Sequence, residues 1–401
     1  LVRVAEIEFN CVRAVSQMEF YGIRLNEKGW HALAERMRLE REKAQETLYA
    51  YTGRPMAQTT LWGEDEVIGQ NFDSNAFVLD LLHRSGIPAQ ATAKHDLYPY
   101  RAHPLVRALT DYRKAAKALS AVLEPVGASV HPITARLHPR YGQIAAYSGR
   151  MSCASPNIQQ IPRDPAFRAC FDAPPGRSLV IADYSQIELR VAAQISQDER
   201  MLAAYQNGED LHLLTASLLT GRPMDKVTKQ ERQAAKAVNF GLVFGMGAAG
   251  LQQYARQTYG VEMTADQATL FRARFFDAYK GLADWHRRLK ESPPKEGRTL
   301  TGRRYALSKT PSLPELSNGP VQGTAADILK KALGLLADRL EGTDTWMVGV
   351  VHDEILLECP KAEGSERAAL LKRTMEEAAN NILPLVPASV EAKVSASWAE
   401  K

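Results

Sequence analysis

Cysteine is scarce in this chain, with four in 401 residues. Cys11, Cys153, Cys170 and Cys359 form no C-x-x-C pair, which argues against a disulfide scaffold or a zinc module and makes a reducing compartment the default. No apolar run reaches the ~18 residues that a spanning helix needs. A signal-peptide core is missing too, because charges interrupt the first segment, LVRVAEIEFN. There is no internal repeat and no low-complexity tract. The net charge of +4 is small for this length. Leu1 is not an initiating methionine, so the chain is expected to be part of something longer.

What is present is ordinary globular composition, 45% hydrophobic and 24% charged, which argues against disorder and collagen. At ~150 residues per domain, the length suggests two to three domains. The positive charge is gathered rather than spread. Residues 101–168 hold ten Lys/Arg against three Asp/Glu, residues 222–256 six against two, and residues 287–309 eight against two. Such gathering suits a polyanion-binding surface, and solvated helix faces explain it equally well.

Residues 1–21 read as a helix with Val4, Ile7, Val12, Val15 and Met18 apolar, ended by Gly22. Asn26 is placed to cap a second helix through about Tyr51, with Trp30, Leu33, Met37 and Leu48 on one side. Residues 52–75 read as loop. Short helices at 75–85 and 103–123 follow, the second carrying Arg107, Arg113, Lys114 and Lys117 as a basic side. After an irregular stretch over 128–175, the run SLVIAD at 178–183 fits a buried strand. Residues 187–330 are mostly helical, broken by a Gly/Pro-rich segment at 292–320. The runs Trp346–Val351 and Ile355–Cys359 flank His352-Asp353-Glu354 as a β-hairpin. The sum is an α+β protein, a small antiparallel sheet with large helical insertions.

Two carboxylates stand out. Asp183 ends one strand and Asp353 lies in the turn between two others. A turn or cap aspartate explains either alone. Two on strand ends of one sheet fit a divalent-cation site, since Mg²⁺ is held by one or two carboxylates plus substrate phosphates. Two such ions ~3.5–4 Å apart activate an attacking hydroxyl and stabilise a leaving oxygen. Glu188 and Glu354 are further carboxylates close by in sequence. Between Glu231 and Gly247, the residues Arg232, Lys236, Phe240 and Phe244 recur every four positions. Each step drifts only ~40° around a helix, so the four share one broad face. An amphipathic helix with exposed cations and buried rings is the ordinary reading. Cations and rings on one side also suit a nucleotide, the cations for phosphates and a ring for sugar and base.

With these residues in view, the chain resembles the polymerase domain of family A DNA polymerases, bacterial and phage. Ser148-Gly149-Arg150-Met151-Ser152 and Pro156-Asn157-Ile158-Gln159 resemble the family's first motif, and Asp183-Tyr184-Ser185-Gln186-Ile187-Glu188 resembles motif A. Asp210-Leu211-His212 is similar to the D-x-H of the fingers, and Arg232-x₃-Lys236-x₃-Phe240-Gly241 to motif B. Asn318-x₃-Gln322 and Val351-His352-Asp353-Glu354 complete the series, the latter as motif C.

The resemblance implies a right-hand fold: a palm entry helix at 1–25, thumb at 26–130, palm at 131–205, fingers at 206–314 with the motif B helix at about 228–246, and palm again at 315–401. It implies template-directed addition of dNMP to a primer 3′-OH with release of pyrophosphate. Asp183, Asp353 and the Tyr184 carbonyl would hold two Mg²⁺ ions, with Mn²⁺ as a substitute, and Glu354 and Lys236 would join the catalytic set. Arg232, Lys236, His212 and Gln186 would hold the triphosphate, Phe240 the sugar, and Phe244 would lie by the templating base. Glu188 would exclude a ribose 2′-OH. Arg150, Asn157, Gln159, Asn318 and Gln322 would contact the primer–template, with His352 and Glu354 at the primer end. The implied partners are primer–template DNA and dNTPs, with room for an upstream domain or a processivity factor, no membrane, and a monomeric state. The implied location is cytoplasm or nucleoid, or the cytoplasm of a phage-infected host, with an organelle matrix left open.

Some residues depart from the family pattern. Position 244 is Phe where most members have Tyr, so Glu188 is expected to lack a hydroxyl partner, to be less fixed, and to exclude ribonucleotides less strongly. Phe240 is the variant that goes with poor use of dideoxynucleotides. Pro314 stands where the family often has Arg, which puts one minor-groove contact in doubt. The shorter helical projection implies low intrinsic processivity, because it neutralises fewer phosphates. The residues before the first motif carry no acidic exonuclease motifs, so no 3′→5′ proofreading is expected in this chain. A single-subunit RNA polymerase relative is disfavoured by Glu188, and a two-metal nuclease has no use for the motif B face. An inactive DNA-binding derivative is disfavoured by the intact Asp183, Asp353, Arg232 and Lys236.

Overall fold

The buried strand expected from SLVIAD extends over Arg177–Tyr184 (β1), and most of its residues are closed to solvent. It lies inside a four-stranded antiparallel sheet with Trp346–Val351 (β2), Glu354–Pro360 (β3) and Val390–Ser395 (β4), in the order β2-β3-β1-β4. The edge strand β4 went unforeseen. Val390, Ala392 and Val394 do alternate with Glu391, Lys393 and Ser395, but the run is short and weakly apolar, and Val394 stays 41% exposed. The computed structural model describes residues 2–54, 57–59, 65–67 and 70–399. Its larger unit comprises Leu1–Arg24, His138–Gln159 and Asp172–Lys401, and its smaller unit Leu25–Leu137 and Gln160–Phe171.

In the larger unit, helix α1 (Val2–Tyr21) packs on β2. Ile187–Ser196 (α2) leaves directly from the end of β1, and Leu211–Thr220 (α3) and Lys229–Val243 (α4) pack together. The 27-residue Leu313–Arg339 (α5) packs against α1 and against Gly364–Asn380 (α6), which covers β1 and β4. The inward stripe of α1 is Val4, Ile7, Cys11, Ala14 and Met18. Val12 was expected inside but is 49% exposed, and Val15 is only half-buried. The stripe steps by 3 and 4, so small residues at 11 and 14 take the inward places. They suit a close helix pair: a Cβ on Gly334 of α5 would lie 2.9 Å from the Asn10 Cβ.

A buried charged cluster ties α1 to α5. Glu8 Oε1 accepts from the Lys330 ammonium at 2.6 Å and from the Arg303 guanidinium. Arg303 also forks onto Asp327 Oδ1 at 2.8 and 2.6 Å, and Thr299 donates to Asp327 Oδ2 at 2.9 Å. The side chains of Lys330 and Asp327 are 0% exposed. Burial pushes the Lys330 pKa down, with Glu8 opposing it. Burial alone would raise the Glu8 pKa, but hydrogen bonds from Lys330, Gln143 and Arg303 outweigh it and hold the carboxyl below its usual range.

In the smaller unit, Glu27–Thr52 packs on Pro104–Ala118. Asn26 caps the first helix as expected, its Oδ1 accepting from the Gly29 N–H at 3.0 Å. Trp30 is buried edge-on to Phe167 and Phe171, with ring centroids 6.2 and 5.7 Å away, and donates to the Leu123 carbonyl at 2.9 Å. The helix expected over 103–123 is α-helical to Ala118 and continues as a π-helical turn, Leu119–Leu123. Arg107, Lys114 and Lys117 are exposed, but Arg113 turns inward and donates to the Thr92 carbonyl at 2.7 Å. Part of the loop expected over 52–75 is an antiparallel pair, Ala57–Thr59 with Asp65–Val67, and part lies outside the described residues. Among the described residues, no helix is long and apolar enough to cross a membrane.

Candidate active site

The site grows from the end of the sheet. Val351 of β2 pairs with Glu354 of β3, leaving His352-Asp353 as a two-residue turn. His352 takes φ +59°, the left-handed conformation that such tight turns require. Glu354 in turn pairs with Asp183 of β1. Asp353 is therefore one residue from the direct partner of Asp183, on strands ~4.8 Å apart. Both aspartates are half-buried and His352 is exposed. Burial raises the Tyr184 pKa well above its usual value, with Glu376 and Asp353 adding to it. The Tyr184 hydroxyl donates to the Met375 carbonyl at 2.7 Å, so a ligand role would fall to its backbone carbonyl.

Two carboxylates and a carbonyl make an all-oxygen donor set, the chemistry that suits Mg²⁺ or Mn²⁺. Among the described residues, no group of three or more His, Cys, Asp or Glu side chains gathers as a metal cage. A cation here would thus complete its shell with substrate oxygens and water. Glu354 does not open beside Asp353. It is 2% exposed, and the buried Trp398 indole donates to its Oε1.

Glu188 lies in the first turn of α2, with its side chain 19% exposed. The sequence left it without a hydroxyl partner. The structure supplies Arg150, which ion-pairs with Glu188 Oε1, so the expectation of a less fixed carboxylate is corrected. Burial raises the Glu188 pKa and Arg150 opposes it. Gln186 precedes α2 at φ +56° and accepts from the Tyr205 hydroxyl at 3.2 Å.

Helix α4 starts with a capping box. Thr228 Oγ1 accepts from the Glu231 N–H at 3.2 Å, and Glu231 accepts from the Thr228 N–H at 2.8 Å. The helix ends at Val243, earlier than expected; Phe244 is its C-cap and Gly245 follows at φ +77°. Arg232, Lys236, Phe240 and Phe244 are all half-buried, whereas Ala235, Val238 and Leu242 are buried. The cation–aromatic residues therefore do share a partly open face. Arg232 forks onto Asp210 Oδ2 at 3.0 and 2.6 Å. Asp210 also caps α3, accepting from the His212 and Leu213 N–H groups at 2.8 and 3.1 Å. Burial would raise the Asp210 pKa; Arg232 and the two N–H groups bring it below the usual range.

His212 is 2% exposed, and burial pushes its pKa down to about 4. The Asn239 amide donates to its Nδ1 at 2.8 Å, and its ring lies 5.8 Å from Phe240. It is a neutral ring beside the cationic face, not a further cation. Asn239 Oδ1 accepts from Thr215 at 2.9 Å, and Thr215 meets the Tyr279 hydroxyl at 2.7 Å.

The residues assigned to duplex contact lie on two elements. Asn318 and Gln322 are one turn apart on α5, both half-buried, and Asn318 Oδ1 has no hydrogen-bond partner among the described residues. Pro314 occupies the first turn of α5, where its missing N–H costs nothing. Asn157 spends its Oδ1 on the Gln159 N–H at 3.1 Å, fixing that turn. Arg150 follows Gly149, which has φ +81°; a Cβ there would lie 2.6 Å from Arg303 Nε. The Ser148–Arg150 segment thus rests on the buried charged cluster. Sequence reasoning missed Asn239 and Trp398 as supports, and named Asp210 only within the D-x-H motif, not as the partner of Arg232. Asp210 was detectable as a cap; Trp398, 44 positions from Glu354, gave no local signal.

The chain matches the family model described as DNA polymerase family A over residues 76–400. It is 36% identical over 402 residues to a DNA polymerase I of Aquifex aeolicus, covering 98% of this chain and 67% of that protein. It is likewise 36% identical over 411 residues to a thermostable DNA polymerase I of Thermus thermophilus, covering 98% of this chain and 48% of the relative. The chain therefore spans about half to two thirds of the length of these relatives. Its fold is similar to the POL domain of Pol1 from M. smegmatis in complex with DNA primer-template and dNTP, with a TM-score of 0.84, 27% identity, and coverage of 98% of this chain and 70% of that one. On the extent of these matches, the chain belongs to DNA polymerase family A.

Proposed function

We propose that this chain is a template-directed DNA polymerase that adds dNMP to a primer 3′-OH and releases pyrophosphate. The observation that carries the reading is one juxtaposition. Asp353 adjoins Glu354, the cross-strand partner of Asp183 at the end of the sheet, and α4 packs on α2, the helix that leaves β1 just beyond Asp183. Phosphoryl transfer needs positioning and charge stabilisation more than covalent help, and these residue types supply both.

Asp183, Asp353 and the Tyr184 carbonyl would hold two Mg²⁺ ions. Bound there, the cations would make the primer hydroxyl a better nucleophile and neutralise phosphate charge. Arg232 and Lys236 would bind the triphosphate and stabilise the charge that grows on the departing pyrophosphate. Arg232 gives up little to do so. Its pair with Asp210 is partly exposed and worth roughly 0.2–1 kcal/mol, less than a fork onto phosphate. Phe240 would pack on the sugar and Phe244 beside the template base. Gln186 and the neutral His212 would orient the nucleotide through hydrogen bonds. Arg150, Asn157, Gln159, Asn318, Gln322 and His352 would contact the primer–template. Acceptors in the minor groove lie in similar places for every base pair, so Arg, Asn and Gln there can sense pair geometry without reading sequence. The sheet and α6 would form the palm, the helices around α4 the fingers, and the smaller unit with its basic helix the thumb.

Primer extension on a defined template tests this. The expected result is incorporation from dNTPs with Mg²⁺, lost by at least about 10²–10³-fold in Asp353→Ala and Asp183→Ala. Both variants should still shift primer–template in a gel. Extension that survives Asp353→Ala, or a parent chain that binds duplex and never extends it, would refute the reading.

A further inference from the structure

We propose that Arg150 is the positioning residue that fixes the Glu188 carboxylate, and so sets how strongly this enzyme excludes ribonucleotides. The inference rests on the polymerase reading above and deepens it. Glu188 is mostly buried, on the first turn of the helix that leaves Asp183 and Tyr184. Position 244 carries a phenyl ring with no hydroxyl to offer. Arg150 reaches Glu188 from a separate segment and donates to its Oε1 through Nη2.

A carboxylate excludes a sugar hydroxyl only if it cannot rotate away. A charge-assisted bond to guanidinium is short and directional, and therefore restricts that rotation. Arg150 is itself held in place. Its neighbour Gly149 lies against the Arg303 guanidinium, and a Cβ on Gly323 of α5 would lie 2.9 Å from the Ser148 carbonyl oxygen. Arg303 is anchored by Asp327 and Glu8. Buried charges therefore support the backbone that presents Arg150 to Glu188. The Arg150 side chain is 48% exposed, so replacing it leaves no buried cavity and the fold should survive.

The test is the ratio of kcat/KM for dNTP over the matching rNTP on one primer–template. Any loss of primer contact by Arg150 affects both nucleotides and cancels in the ratio. Arg150→Gln should lower the ratio at least about tenfold, and Arg150→Lys, which keeps the charge and loses the planar fork, should lower it less. In a Glu188→Ala background, Arg150→Gln should leave the ratio unchanged, because the group it positions is gone. An unchanged ratio in Arg150→Gln, or an equal fall with and without Glu188, would overturn the proposal. A parent chain that incorporates neither nucleotide would instead overturn the polymerase reading and this inference with it.

Discussion

Replacing Glu8 by Gln tests the buried cluster most directly. The change keeps the side chain's volume and removes its charge. Glu8 Oε1 is the carboxylate atom that meets both Lys330 and Arg303. Arg303 retains Asp327 after the substitution, but Lys330, with a side chain 0% exposed, loses its ion-pair partner. Leaving one charge of a buried pair uncompensated costs about 3–5 kcal/mol. The reverse change, Lys330→Met, should cost far less, about 0–1 kcal/mol, because an apolar replacement avoids desolvating the ammonium and Glu8 keeps Arg303. The double variant should recover most of what Glu8→Gln loses. Equilibrium urea unfolding at pH 7, followed by tryptophan fluorescence, measures all three. A loss of 3 kcal/mol corresponds to a roughly 150-fold fall in the folded-to-unfolded ratio. The pH dependence has a definite sign. The folded Glu8 pKa lies below its ordinary 4.5, so its stabilisation is complete above that value and is lost as pH falls through the folded value. Glu8→Gln should flatten that part of the acid limb. Equal costs for the two single variants, or a double variant that costs their sum, would refute the reasoning.

Other outcomes follow from the same geometry. His212 and His286 are both pushed down to about 4, and the His286 Nε2 donates to the Val243 carbonyl at 2.9 Å. Unfolded histidine binds its proton near pH 6.5, so both contributions are complete above that pH and are lost between 6.5 and 4, at up to about 2.7 kcal/mol per pH unit for the pair. His286→Gln should roughly halve that slope in pH-dependent unfolding, and an unaltered slope would contradict the assignment. Asp210→Asn keeps the cap on α3 but loosens Arg232; the KM for dNTP should change severalfold while stability falls by only about 0.2–1 kcal/mol. A larger loss of melting stability with no change in KM would contradict that role. Trp398→Phe removes a donor from the buried Glu354 carboxylate and should cost about 1–3 kcal/mol in thermal unfolding, whereas a loss under about 0.5 kcal/mol would show that the indole bond does little.

Much of the site was legible because its signals are local. An apolar run ending in Asp183, two runs flanking His352-Asp353, and a four-residue period from Arg232 to Phe244 each constrain one strand, one turn or one helix. Trp30, Leu33, Met37 and Leu48 were likewise readable as an inward stripe, and all four are buried. What was not legible depends on pairs distant in sequence. Arg150 and Glu188 are 38 positions apart, Glu354 and Trp398 are 44, and Glu8 and Lys330 are 322. Nothing in the spacing of such residues shows that folding will join them. Arg113 misled because a cation on a basic helix reads as exposed, yet carbonyls of neighbouring turns gave it inward acceptors. Val12 reads as inward by its bulk, but a close helix pair prefers the smaller Cys11 and Ala14.

The route of the chain also bears on its synthesis. The smaller unit takes in two separate stretches, Leu25–Leu137 and Gln160–Phe171, and the second stretch delivers Phe167 and Phe171 to the Trp30 ring. A ribosome working from the N-terminus therefore releases every residue of that unit before β1 begins at Arg177. Helix α1 has a longer wait. Its inward face meets α5 and β2, which begin at Leu313 and Trp346, so roughly 300 residues must emerge before Val4, Ile7, Cys11, Ala14 and Met18 are covered. During that interval α1 carries an unburied apolar stripe, which makes it a segment of the nascent chain suited to a holding chaperone.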